Sequence, residues 1–263
     1  MAESYHEAGS NLSLTIQLSE SMPRAMAYGE ACFESFLAKD GRIPLWTRHV
    51  RRLRAGLEAF GYELDPDMAD ELHDHCSALA RKGTFRMRLL LGGGEACWGM
   101  FSQASRLIAH VQRMRLSKDR PPLHLECASY PFGLRPKPAK FVADYAEMLR
   151  AVRLVGKREI IWQAQGQLLG GLTANCWLYR RGTWWTPACT SGVLPGVARA
   201  CLLAAGVGKE ACCPSAWLRD CEAMALSNAV RGVMPVSSID GRALPVDHAA
   251  MDGLIAAWME AIA

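Results

Sequence analysis

The sequence predicts a mixed α/β chain in two domains, on three observations. Apolar runs of strand length alternate with helical apolar stripes from one end to the other. A proline-scattered stretch divides the alternation, with Pro121, Pro122, Pro131, Pro136 and Pro138 between Lys118 and Pro138. At 263 residues, 50% hydrophobic and 21% charged, the chain can bury a sizeable core.

Ala31–Leu37 holds apolar and aromatic residues suited to a strand. His49–Phe60 places Val50, Leu53, Leu57 and Phe60 on one helical stripe. A second helix starts near Asp65-Pro66, because proline suits a first helical turn, and Met68, Leu72 and Leu79 give it an apolar side. Thr84–Leu91 reads as a strand with Gly92-Gly93-Gly94 as the turn after it, and Leu107–Leu116 as a further strand. The prolines then forbid one continuous helix or central strand. The expected division is therefore 1–117, an interdomain segment 118–138, and 139–263. The second part opens with a helix from about Phe141 to Val155. Short strands follow around Glu159–Gln163, Gly171–Leu178 and Trp184–Thr186, a helix opens at Pro195-Gly196, and another closes the chain near His248–Ile262.

Bulk properties exclude several function classes. A formal charge of +4 is too weak to argue nucleic-acid binding, and the run Arg48, Arg51, Arg52 and Arg54 fits a solvated helix face. No apolar stretch approaches the roughly 18 residues of a membrane span. The N-terminus MAESYHEAGSNL has no secretory-signal pattern, which sets a cytoplasmic expectation. Ten irregularly spaced cysteines without a CxxC pair read as reduced, packed thiols. His73, His75 and Cys76 in HDHC do not share a helical face, so no zinc site is expected. Asp247-His248 has no nucleophile motif near it.

Chemistry concentrates in five strings. They are HVRRL (His49 to Leu53), KPAKFVADYAEM around Lys140, TAN (Thr173 to Asn175), LPGVAR (Leu194 to Arg199) and LSNAVRGVMPV (Leu226 to Val236). On residues alone, Lys140 could be an exposed lysine paired with Asp144 four positions on. Pro195-Gly196 opens a helix, whose first free amides and dipole suit an anion. Arg86 and Arg88 alternate with Phe85, Met87 and Leu89, which puts both guanidiniums on one strand face, either solvated or recognising a carboxylate.

Read together and in this order, the strings resemble the fold-type IV pyridoxal-phosphate enzymes. That family includes branched-chain and D-amino-acid aminotransferases and 4-amino-4-deoxychorismate lyase. AYGEACFES (Ala27–Ser35) resembles its YG-(D/E)-G-x-FE-(S/T) run, with Ala31 replacing the second glycine. The resemblance implies two α/β domains with the cofactor between them, a homodimer, and pyridoxal phosphate as cofactor. It implies Lys140 as the Schiff-base lysine, with nearby Lys137 as fallback, and Tyr145 on the cofactor phenolate. Arg52, the amides of Val197 and Ala198, and Asn228 with Ala229 would hold the phosphate, Asn175 would also bind the cofactor, and His49 would be structural. Arg86 and Arg88 would bind substrate, although no family position matches them residue by residue.

One family residue is missing. The glutamate expected five positions before Asn175, which keeps the pyridine nitrogen protonated, is Gly170, and no acid lies between Glu159 and Asn175. Transamination needs that electron sink more than does a lyase whose product becomes aromatic. This absence and the NAVRG segment favour aminodeoxychorismate lyase chemistry, giving 4-aminobenzoate and pyruvate. The alternatives are an aminotransferase of a small D- or branched-chain amino acid, and a diverged member without normal pyridoxal-phosphate chemistry.

Overall fold

A computed structural model describes residues 21–96, 99, 103–116, 123–156 and 159–263. The N-terminal stretch read for a signal, and Pro121 and Pro122, lie outside the described residues. The N-terminal part holds β1 (Met22–Pro23), α1 (Arg24–Ala27), β2 (Ala31–Lys39), α2 (Trp46–Glu58), α3 (Pro66–Leu79), β3 (Thr84–Gly93), β4 (Glu95–Ala96) and β5 (Leu107–Arg115). Strands β2, β3 and β5 form an antiparallel sheet in that order, and β1 pairs with β4. The expected glycine turn after Leu91 starts later: β3 runs through Gly93, because β5 continues to pair with it to that residue.

The register decides what each face of this sheet does. Cys32, Phe36 and Ala38 of β2 and Phe85, Met87, Leu89 and Leu91 of β3 point into one core with Val50, Leu53 and Leu57 of α2 and Ala69 and Cys76 of α3. Alternation sends Phe33, Ser35 and Leu37 to the opposite face, directly across from Leu90, Arg88 and Arg86. Asp65 caps α3 by accepting a hydrogen bond from Met68 N at 2.8 Å, with Pro66 in the first turn.

The C-terminal part holds β6 (Leu123–Ser129), α4 (Val142–Val155), β7 (Ile160–Ala164), β8 (Gln167–Gly171), β9 (Asn175–Arg180), β10 (Thr183–Pro187), α5 (Val197–Ala204), β11 (Gly208–Ala211), β12 (Ala223–Asn228), β13 (Gly232–Ile239), β14 (Arg242–Ala243) and α6 (Ala249–Ile262). They build a nine-stranded sheet in the order β11-β10-β9-β12-β13-β6-β7-β8, with β14 beside β13. The sheet rolls until its ends meet. Leu168 N donates to Cys213 O at 2.8 Å and Ser215 N to Gly166 O at 2.8 Å. One face encloses Leu125, Ile161, Leu168, Cys176, Leu178, Met224, Leu226 and Val236. The other packs Trp177, Trp184, Ala223 and Ala225 against α5 and α6. Burial on both faces explains why β9 and β12 read as unbroken apolar runs.

Two sequence expectations change here. The proline-rich segment contains β6, an interior strand of the large sheet, parallel to both β13 and β7. Its ladder residues lie between the prolines, so no missing N–H interrupts the pairing. The single strand expected over Gly171–Leu178 is two strands, β8 and β9, joined by a turn in which Gly171 N donates to Ala174 O at 2.9 Å. No glycine or proline stands at 172–174 to mark that turn.

The segment leading to Lys140 is clamped between the two parts. Phe33 N donates to Lys140 O at 2.9 Å, and Cys32 bridges Phe141. Behind it, a Cβ at Gly56 of α2 would lie 2.8 Å from the Ala139 Cβ and 3.0 Å from that of Cys32. Gly56→Ala is therefore expected to destabilise the fold by about 1–3 kcal/mol, the cost of overpacking a tight core. Urea unfolding measures it, and a loss below about 0.5 kcal/mol would show that α2 yields freely.

Candidate active site

Four pieces of chain meet around Lys140. The outward face of the β2-β3-β5 sheet supplies Phe33, Arg86 and Arg88, and α2 supplies Arg52. The start of α4 carries Tyr145, and the turn before α5 lies against Arg52. Lys140 Nζ sits 5.4 Å from the centre of the Phe33 ring, and Tyr145 meets the same ring edge-on at 4.6 Å. The Arg88 guanidinium lies 5.0 Å from the Phe33 ring and 5.9 Å from that of Tyr145.

This environment sets the charge on Lys140. Burial pushes its ammonium down to about 7; Arg52 adds to the effect, Glu34 opposes it, and Arg88 and Arg86 lower it further. An amine with that value is about half neutral at pH 7, and the neutral fraction can act as a nucleophile or base. Asp144, its potential helical partner, instead pairs with Arg135, which also holds Glu147 at 3.0 Å. Lys137 turns away and lies 5.5 Å from the Tyr130 ring. Burial raises the Tyr145 phenol, and Arg88, Arg86 and Arg52 oppose that rise.

Arg52 is held by Glu34. Its Nε donates to Glu34 Oε1 and its Nη2 to Oε2, both at 2.6 Å, while Nη1 donates to Pro195 O at 2.9 Å. His49 Nδ1 meets Glu34 Oε2 at 2.7 Å and is fully buried. Burial works to raise the Glu34 carboxyl, but Arg52 and His49 outweigh it and hold Glu34 at about 2. Burial keeps His49 low and so neutral. Glu34 was visible in the string CFES but drew no role from sequence, because its partners stand 15 and 18 residues away on another element.

The turn before α5 is shaped from both sides. Gly196 O accepts the first helical bond, from Ala200 N at 2.9 Å, so the amides of Val197 and Ala198 precede the intrahelical ladder. Asn175 Nδ2 donates to Leu194 O at 2.9 Å, and a Cβ on Gly196 would fall 1.9 Å from Asn175 Oδ1. Asn175 thus braces the turn, and only glycine fits beside it. Arg199 anchors α5 by donating to Pro187 O at 2.9 Å and pairing with Glu210. In the second loop, Asn228 Oδ1 accepts from Val230 N at 3.0 Å and Arg231 N at 2.7 Å, and Ala229 O accepts from Leu37 N at 3.3 Å. Gly170 lies in β8, where an added Cβ would stand 3.0 Å from Ala174 O.

A sequence profile described as amino-transferase class IV matches residues 31–239. The chain belongs to that family. Its fold is the fold-type IV architecture and its cofactor is pyridoxal phosphate. No curated protein matches the sequence. Among solved structures, a Legionella pneumophila protein assigned as a 4-amino-4-deoxychorismate lyase is 21% identical, covering 95% of this chain and 97% of its own, with a TM-score of 0.79. A hypothetical aminotransferase from Mycobacterium tuberculosis in its PLP-bound form is 20% identical over 95% of each chain, with a TM-score of 0.73. The Escherichia coli branched-chain amino acid aminotransferase is 19% identical over 92% and 90%, with a TM-score of 0.75. At these identities the neighbours define the fold. Among the described residues of this family member, no helix is long and apolar enough to cross a membrane.

The residues present fit the family's cofactor at two ends. Lys140 is a partly buried lysine of lowered basicity, and the α5 amides with Arg52 form a cradle for an anion. The third end departs from the pattern, because Gly170 offers no carboxylate.

Proposed function

We propose that this protein is a pyridoxal-phosphate lyase that removes pyruvate from 4-amino-4-deoxychorismate to leave 4-aminobenzoate. The observation that carries the reading is Gly170 in place of an acid, together with the crowding by Ala174 O that an added side chain would meet there. The cofactor, when bound, withdraws electron density from the bonds next to the substrate nitrogen. Without a carboxylate at Gly170 that withdrawal is weaker, which penalises a transaminase more than a reaction whose product gains aromaticity.

In this reading Lys140 anchors the cofactor, and Arg52 with the amides of Val197, Ala198 and Ala229 holds its phosphate. Asn175 and Asn228 hold the two phosphate-facing loops in shape, and Tyr145 hydrogen-bonds the cofactor ring oxygen. Glu34 keeps Arg52 fixed while Lys140 does the proton work. The Lys140 amine takes the proton from the ring carbon that bears nitrogen. The ring C–O bond to the enolpyruvyl group then breaks, and the departing methylene carbon receives a proton to become pyruvate. The protein is also proposed to be a cytoplasmic homodimer; nine cysteines among the described residues are free thiols, as a reducing compartment favours.

A side-by-side assay of one preparation tests the reaction. Aminodeoxychorismate is scored for pyruvate, and a panel of D- and L-amino acids for pyridoxamine phosphate. Pyruvate release should exceed half-transamination by at least about tenfold, about 1.4 kcal/mol in barrier. Tyr145, which stands where the resemblance puts a tyrosine of the branched-chain aminotransferases, and the aminotransferase neighbours favour the second reading, an aminotransferase of a small amino acid. Rapid transamination with no pyruvate would establish that one instead.

A further inference from the structure

We propose that the β2-β3-β5 sheet carries a second anion site on the face turned away from Lys140, a cleft that takes a chain of linked phosphates, free or on a nucleotide.

The cleft has a volume of about 420 Å³ and lies where the end of α3 meets β3 and β5. Its charged lining is Arg81, Lys82, Arg113 and Arg115, and no carboxylate lines it. Register explains the convergence. Arg115 stands across from Phe85 and Arg113 across from Met87, so both arginines project from β5 on the core side of the sheet. Phe33, the ring beside Lys140, belongs to the other face. Helix α3 stops at Leu79, and the turn after it supplies Arg81 and Lys82. All four cations are exposed.

The arginines are held ready. Arg113 Nη1 donates to Leu79 O, one of the carbonyls left over at the end of α3. The Arg113 guanidinium lies 4.8 Å from the centre of the Phe85 ring, and that of Arg115 lies 5.7 Å from it. A guanidinium laid on a ring keeps edge donors for anionic oxygens. Elsewhere Arg24, Arg52, Arg135, Arg180 and Arg199 each end on a carboxylate. Among the described residues, Arg81, Lys82, Arg113 and Arg115 end on none. Asp40, which reaches the turn beside Lys82, accepts from Gly83 N at 2.8 Å. An inward charge on β5 would be enough to deter pairing at this sheet edge. It does not call for two more cations from another element in the same cleft.

Charge and shape name the occupant. Four cations around one cleft repel one another until an anion joins them. A single phosphate, with a charge of about −1.5 to −2, answers at most half of that charge. A chain of two or three phosphates answers it all and offers each guanidinium and the ammonium its own oxygens. A nucleic-acid duplex presents a convex backbone, which does not enter a concave cleft.

Isothermal titration of the pyridoxal-phosphate holoenzyme, with the cofactor's own phosphate cradle filled, tests the proposal at low salt. The probes are tripolyphosphate, ATP and inorganic phosphate. Tripolyphosphate should bind once per chain, about tenfold or more tighter than inorganic phosphate, and should weaken as salt rises. Arg81→Gln with Lys82→Gln should weaken it by about 5–30-fold, the worth of two exposed ion pairs. Arg51→Gln with Arg153→Gln removes the same charge from exposed helix positions outside the cleft and should change affinity by less than about twofold. Circular dichroism and cofactor absorbance check both variants. ATP separates the two sources of the ligand. Binding tighter than tripolyphosphate assigns the cleft to a nucleotide; binding no tighter assigns it to the phosphate chain alone. Absence of saturable tripolyphosphate binding below about 1 mM, affinity no better than that of inorganic phosphate, or equal weakening by the two variant pairs overturns the proposal.

Discussion

Lys140→Ala will abolish the borohydride-reducible link between the protein and pyridoxal phosphate and lower turnover by about 10²–10⁴-fold, the usual worth of a positioned proton-transfer group. Peptide mapping after borohydride reduction reads the link directly. A reducible chromophore that persists on Lys137 or elsewhere would sink the assignment. A second consequence concerns the apoprotein. Lys140 is lowered from 10.5 to about 7 in the fold, so between those values the unfolded chain binds a proton that the folded chain does not. Stability contributed at this site therefore rises with pH from about 7 to 10.5 and is lowest below 7. Lys140→Met removes that slope. The variant apoprotein should be more stable than wild type at pH 7, on the order of a few kcal/mol given the partial exposure of Lys140, and the gap should narrow toward pH 10.5. Parallel unfolding curves at all pH values would mean that Lys140 is charged in the folded apoprotein.

Glu34→Ala should cost about 3–5 kcal/mol of stability, the penalty for leaving one partner of a buried ion pair uncompensated. Arg52 would keep its bond to Pro195 O but lose both bonds to carboxylate, and His49 would lose its Nδ1 partner. Cofactor affinity should fall with it, since Arg52 would no longer be held against the α5 turn. The sign of the pH dependence follows from the depressed carboxyl: the stabilisation is present above about 4.5 and is lost as pH falls through about 2. The double variant Glu34→Leu with Arg52→Met separates charge from packing. It should recover much of the lost stability while still binding pyridoxal phosphate poorly. Urea unfolding and cofactor titration measure both, and a single-variant cost below about 1 kcal/mol would contradict a structural role for the Glu34 bridge.

Much of the site was legible because its parts are local strings. HVRRL puts His49 and Arg52 on one turn-and-a-bit of α2, LPGVAR fixes a helix start, and Lys140 and Tyr145 lie within one short segment. The alternation around Phe85–Leu89 placed Arg86 and Arg88 on a common face. It did not say which face, since solvent and active site both accept arginine. Strand β6 stayed hidden because parallel partners are distant in sequence and the flanking prolines suggested a break. The β8-β9 turn was missed because Leu172, Thr173 and Ala174 carry no turn chemistry.

Apart from β6 and the β8-β9 turn, the sequence by itself determined the element types, the family and the residues with chemical capacity, because periodicity, caps and short motifs are properties of neighbouring residues. It also determined that position 170 has no side chain to offer a cofactor. Only the tertiary structure decided how those residues act on one another. Glu34 became the clamp on Arg52 through a bridge between β2 and α2, and Arg52 reached Pro195, 143 residues away. Lys140 lost its charge preference because burial beside Phe33 desolvates it, and Arg52, Arg88 and Arg86 add to the effect. Desolvation and Coulomb interactions depend on distance in space, which no local pattern in the chain encodes.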